Sequence, residues 1–129
     1  VPFAFDETLH HIMDPTISFE SYTGLRALVL KPTLIACTAR LIALVNQARE
    51  NEVQAVISSS YESDVGLFHL AQLAGSIGGQ EITVGLDTRS AMTSGTTLSP
   101  ATIENGYMST TLLTTKDLDL SHCELLYQT

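Results

Sequence analysis

LRALVLKPTLIACTARLIALVNQARENEVQAVI, residues 25–57, reads as a strand, a helix and a second strand. LRALVL (25–30) and VQAVI (53–57) are short apolar runs, the pattern of strands buried on both faces of a parallel sheet. Between them Leu41, Leu44, Val45 and Ala48 recur at i, i+3, i+4 and i+7, while Arg40, Gln47 and Arg49 fall elsewhere, as one apolar helix face requires. Outward from this unit the pattern repeats. VPFAF (1–5) precedes it and ITVGL (82–86) follows, so the four runs start 24, 28 and 29 residues apart. Ahead of the last run, Ser63 offers an N-cap with Asp64 behind it, Leu67, Leu70, Ala71 and Ala74 form an apolar stripe, and Gly75, Gly78 and Gly79 are expected to stop the helix. The first gap is less regular, with a turn at Asp14-Pro15 and a short helix expected from Ser18 to Tyr22. Repeated strand–helix–strand units imply right-handed crossovers and an α/β fold.

After Thr88 the chain becomes rich in Thr and Ser without a helical stripe, and a short helix followed by loop or an added strand is expected. The organisation is therefore βα units over 1–88 and a polar tail of the same domain over 89–129. With 129 residues, 44% of them hydrophobic, the chain suffices for one domain with its own core. Its 6 basic residues against 14 acidic ones give a net charge of -8, which argues against nucleic acid or an anionic membrane as partner. No apolar run approaches the ~20 residues of a membrane span and VPFAFDET is no signal peptide, so a cytoplasmic location is expected. Cys37 and Cys123 have no metal-ligand spacing and read as reduced bystanders.

Ligands of parallel α/β sheets gather at the carboxyl ends of the strands. The residues just past the apolar runs are Asp6, Lys31, the serines Ser58, Ser59 and Ser60, and Asp87. A carboxylate there can bind a hard cation through oxygen, and an amine can exchange protons or stabilise a developing anion. Each also has a plainer reading. A strand-end Asp can cap a helix, Lys31 can snorkel to water, and serines favour turns. His10-His11 lacks a third ligand at suitable spacing, and Glu62 and Asp64 read as helix-start carboxylates favoured by the macrodipole. Yet Lys31 is one of only two lysines, with Lys116, and it ends an apolar run.

The ordered set FDET, VLKPTLIA, ISSSYES and GLDT resembles the C-terminal part of the o-succinylbenzoate synthases, in the muconate-lactonising branch of the enolase superfamily, from Pro2 to Thr88. The resemblance implies an α/β fold that is the C-terminal half, about strands five to eight, of a modified TIM barrel. It implies a lyase that dehydrates 2-succinyl-6-hydroxy-2,4-cyclohexadiene-1-carboxylate to 2-succinylbenzoate in menaquinone synthesis, through an enediolate stabilised by Mg²⁺, with Mn²⁺ as an alternative. By the same resemblance Asp6 matches a metal-binding carboxylate, Lys31 the lysine facing the proton-abstracting one, and Ser59, Ser60, Gly85 and Asp87 the rim that holds the substrate.

There are departures. Thr8 stands where Ser is usual, and Ala36-Cys37 where relatives often carry Gly-Gly or Gly-Ser. Nothing here matches the family's capping domain, its Lys-x-Lys strand or its two earlier metal carboxylates. A single carboxylate is a poor Mg²⁺ site, and four strands cannot close a barrel. The expectation is a piece of a longer enzyme, inactive alone, whose open edges pair with a missing N-terminal half or with another copy. The alternatives are an acylamino-acid racemase or dipeptide epimerase of the same superfamily, with Lys31 as a second base, and a standalone non-catalytic α/β binding domain.

Overall fold

The computed structural model describes residues 1–6, 8–11, 18–78, 82–92, 94–108 and 113–121. Four parallel strands, β1 (Phe3–Phe5), β2 (Leu25–Leu30), β3 (Gln54–Ser58) and β4 (Thr83–Gly85), lie side by side in chain order. The register pairs Phe5 with Leu28, Val29 with Val56, and Ser58 with Gly85. The crossovers carry α1 (Thr8–His11), α2 (Pro32–Ile35) with α3 (Thr38–Glu50), and α4 (Asp64–Gly78).

The core lies between one face of the sheet and the helices. Leu28, Leu30 and Ile57 are fully buried against Leu41, Leu44, Val45 and Ala48 of α3 and Ala74 of α4. The whole expected apolar face of α3 is therefore inside. In α4 the expected Leu67, Leu70 and Ala71 join Phe68, Leu86 and Ala101 in a second cluster. Ser63 caps α4 as expected, its Oγ accepting from the Gly66 N–H at 3.4 Å. No described helix is long and apolar enough to cross a membrane.

Some expectations are corrected, and others fall outside the described residues. The strands are not covered on both faces, since all three residues of β4 and two of three in β1 are exposed. Among the described residues helices shield one side of this sheet, and half-buried Ala27, Val29 and Val56 lie on the other. Gly75 does not stop α4, which continues to Gly78, because one glycine costs only about 1 kcal/mol in a helix whose flanking turns are anchored in the core. Between Ser18 and Tyr22 there is one 3₁₀ turn, Phe19–Ser21, and the short α2 was not anticipated. Pro32 opens α2 with its preset φ, and Ala36 ends it in the left-handed region at φ 54°. The Asp14-Pro15 turn, Gly79 and Cys123 lie outside the described residues; Cys37 is a free, exposed thiol.

Among the described residues the tail adds no strand to this sheet. It forms a 3₁₀ turn, Arg89–Ala91, and a separate antiparallel hairpin, β5 (Ile103–Glu104) with β6 (Tyr107–Met108). Asn105 and Gly106 turn the hairpin with φ 52° and 81°, the two positive angles of a type I′ turn. Further on, Thr115–Asp117 is a 3₁₀ turn with a capping box, and hydrogen bonds from Thr114 hold the exposed Asp117 carboxyl below the usual range.

Candidate active site

The carboxyl ends of the four strands form one rim. Side chains alternate along a strand, so the register puts Asp6, Lys31, Ser58 and Gly85 on the face that no described helix covers. Lys31 follows β2, and its Nζ lies 2.6 Å from Oδ1 of Asp6, which follows β1. The lysine side chain is only 14% exposed, against 40% for the aspartate. That burial removes the snorkelling reading, because a lysine reaching for water keeps its amine in the open. Desolvation is offset instead by an opposite charge at contact distance.

The serine run divides between the two faces. Ser59 is 4% exposed, on the helix side. Its Oγ donates to the Gly85 carbonyl at 3.2 Å and accepts from Thr88 Oγ1 at 3.0 Å, while its N–H also donates to the Gly85 carbonyl at 3.0 Å. Ser59 thus ties the loops after β3 and β4 together. Ser58 faces the uncovered side, and a Cβ built on Gly85 would lie 3.6 Å from its Oγ. Ser60 is half-buried and its N–H donates to Glu62 Oε2. Asp87 is exposed, in an open cleft of about 210 Å³ that Val84, Leu86, Ile103 and Met108 also line. The structure therefore brings Asp6 and Lys31 into contact, joins Ser59 to Gly85, and sets Asp87 in a cleft toward the hairpin.

Among the described residues no three His, Cys, Asp or Glu side chains gather as a metal-binding group. Asp6 alone does not fit a hard divalent cation, which takes six or more oxygens and in this chain would have to displace the ammonium of Lys31. The sequence reading missed the work of Glu62 and Asp64. Glu62 accepts from Thr33 Oγ1 at 2.6 Å as well as from Ser60. Asp64 lies at the start of α4, as expected, but it is buried and accepts from Arg89 Nε at 2.7 Å, Thr96 N at 2.9 Å and Ala101 N at 3.1 Å. A carboxylate close behind an N-cap serine was the available signal, though it named no partner.

No family model matches the chain. Among curated proteins it is similar to the o-succinylbenzoate synthase of Vibrio cholerae, 43% identical over 89 residues, which are 68% of this chain and 26% of that protein. It is also similar to the o-succinylbenzoate synthases of Haemophilus influenzae, 40% over 92 residues (71% of this chain, 27% of that one), and Aliivibrio fischeri, 42% over 74 residues (57% and 22%). The chain spans about a quarter of the length of these relatives. By sequence the chain is similar to a stretch of the o-succinylbenzoate synthases, and its four-stranded parallel sheet with helices fits the part of an enolase-superfamily barrel that this likeness implies.

Proposed function

We propose that these residues are the C-terminal part of a barrel that dehydrates 2-succinyl-6-hydroxy-2,4-cyclohexadiene-1-carboxylate to 2-succinylbenzoate, a step of menaquinone synthesis in the cytoplasm. The observation that carries the proposal is Lys31, a mostly buried ammonium at a strand's carboxyl end, in contact with Asp6 at 2.6 Å. In the reaction a base takes the proton α to the substrate carboxylate, and the electron pair moves onto that carboxylate as an enediolate. The ring C–OH bond then breaks, the hydroxyl leaves as water with a proton supplied to it, and the ring becomes aromatic. Lys31 acts as an ammonium that stabilises the developing anion, an effect that grows in a site from which water is excluded. Ser60 and the Gly85–Asp87 turn form the rim against the substrate, and Ser59 holds that rim together from behind.

This reading needs groups that the 129 residues do not include. Mg²⁺, or Mn²⁺ in its place, would take Asp6 as one ligand and further carboxylates from the remainder of the barrel. The proton-abstracting base would come from there too, which is why we expect the chain alone to be inactive.

The test is Lys31→Ala, with Lys31→Arg beside it, in a full-length barrel carrying this sequence. Loss of one preorganised charge at the anion is expected to lower kcat by about 10²–10³-fold, with thermal unfolding close to that of the parent. Wild-type turnover in Lys31→Ala would overturn the proposal. Racemisation of an N-acylamino acid without dehydration would overturn the choice of reaction.

A further inference from the structure

We propose that Glu62 is a positioning residue, a carboxylate clamp that fixes the turn carrying Lys31 against the serine loop; this rests on reading Lys31 as the working cation. Its two oxygens serve different loops. Oε1 accepts from Thr33 Oγ1 at 2.6 Å, two residues past Lys31, and Oε2 accepts from the N–H of Ser60. One side chain thereby sets the distance between the carboxyl ends of β2 and β3.

Two further features accommodate it at a cost. Tyr61, between Ser60 and Glu62, has φ 64° and a largely exposed ring. An aromatic residue pays for the left-handed region, and here that conformation turns the chain so that the carboxylate of Glu62 reaches back to the Ser60 amide. Gly66 lies in the first turn of α4, where alanine would favour the helix. A Cβ at that position would be 2.7 Å from Cβ and 3.2 Å from Cγ of Glu62, so the stem of the clamp occupies the space the missing methyl leaves. Local backbone preference is overruled at both positions, and both departures serve the same side chain. The clamp is exposed on the Thr33 side, so its hydrogen bonds contribute little to global stability. Its effect is local, on where the Lys31 turn sits.

The chain has two lysines, Lys31 and Lys116, so protein labelled with ¹³C-lysine shows one Cε–Hε signal from each. Gly66→Ala is the decisive variant, because it is remote from Lys31 in sequence and reaches it through Glu62. It is expected to displace the Lys31 signal, leave that of Lys116 in place, and speed acetylation of Lys31 severalfold relative to Lys116. Thr33→Val should do the same, and Thr33→Ser, which keeps the hydroxyl, should restore the wild-type signal. In a Glu62→Ala background the effect of Gly66→Ala should vanish. An unmoved Lys31 signal in Gly66→Ala and Thr33→Val, or a displacement by Gly66→Ala that persists without Glu62, would overturn the proposal. These outcomes are separate from the functional reading: wild-type turnover in Lys31→Ala would remove the cation's role while the clamp still moved the lysine.

Discussion

At the scale of single residues the most consequential position outside the rim is Asp64, 1% exposed and accepting three hydrogen bonds. A carboxylate is taken out of water at reasonable cost only when an opposite charge and N–H donors replace its hydration, and Arg89 with the amides of Thr96 and Ala101 does so. The arrangement pins residues 95–101 onto the start of α4. It also leaves no room at Gly95, where a Cβ would lie 2.7 Å from Asp64 Oδ2 and 3.1 Å from Arg89 Nη2. Gly95→Ala is therefore expected to destabilise the fold by about 1–3 kcal/mol, the usual range for forcing a methyl into a filled site. Urea unfolding would show it as a lower midpoint at constant slope, and a midpoint equal to wild type would refute the hub. The sequence revealed where Asp64 stands but not what it does, because its partners lie 25, 32 and 37 residues further on. The same limit applies to the serines, where a shift of one residue along a strand exchanges the faces of Ser58 and Ser59.

At the scale of elements, periodicity carried most of the information. All four stripe positions of α3 are buried, and the stripe exists because the sheet face of Leu28, Leu30 and Ile57 needs cover. Leu44→Ala should accordingly cost about 2–5 kcal/mol, from lost burial and the cavity left behind. Ile42, exposed outside that stripe on the same helix, should tolerate alanine within about 0.5 kcal/mol. Equal losses from both variants, read by thermal unfolding, would mean the helix is packed differently. Short elements escaped the pattern. The four residues of α2 hold less than two helical periods, and Pro32 was the only mark of its start. The β5–β6 hairpin did carry a strong local signal in Asn105-Gly106, whose positive φ angles suit the turn, but its two-residue strands are too short for alternation to show. Parallel order followed from the repeated strand–helix spacing; the exposure of one sheet face did not, because covered and uncovered apolar faces look alike in sequence.

At the scale of the molecule, the parts that sequence leaves open meet at the two edges of the sheet. Among the described residues β1 and β4 each have one neighbour, Val84 is 45% exposed on the edge strand β4, and Ala27, Val29 and Val56 lie half-buried on the opposite face of the sheet from Ile57. Edge strands of this kind offer unpaired N–H and C=O groups to another chain, and four strands are about half of what barrel closure takes. Against that attraction stands the net charge of -8, which makes two copies repel at low salt. The balance leads us to propose association that is weak in dilute buffer and strengthens as salt screens the charge, since the Debye length falls from about 30 Å at 0.01 M to about 8 Å at 0.15 M. Light scattering coupled to size exclusion should give a mass above 13.9 kDa at micromolar protein and 0.15 M salt, falling toward the monomer at 0.01 M. Val84→Lys, which puts a charge on the exposed β4 edge, should shift the high-salt sample toward monomer without lowering the unfolding temperature. If instead the wild-type chain stays at 13.9 kDa under both conditions, the edges are not sites of self-pairing. Under the proposed function, the base and carboxylates that complete the site with Asp6 and Lys31 would then come from the remainder of the barrel and not from a second copy of these residues.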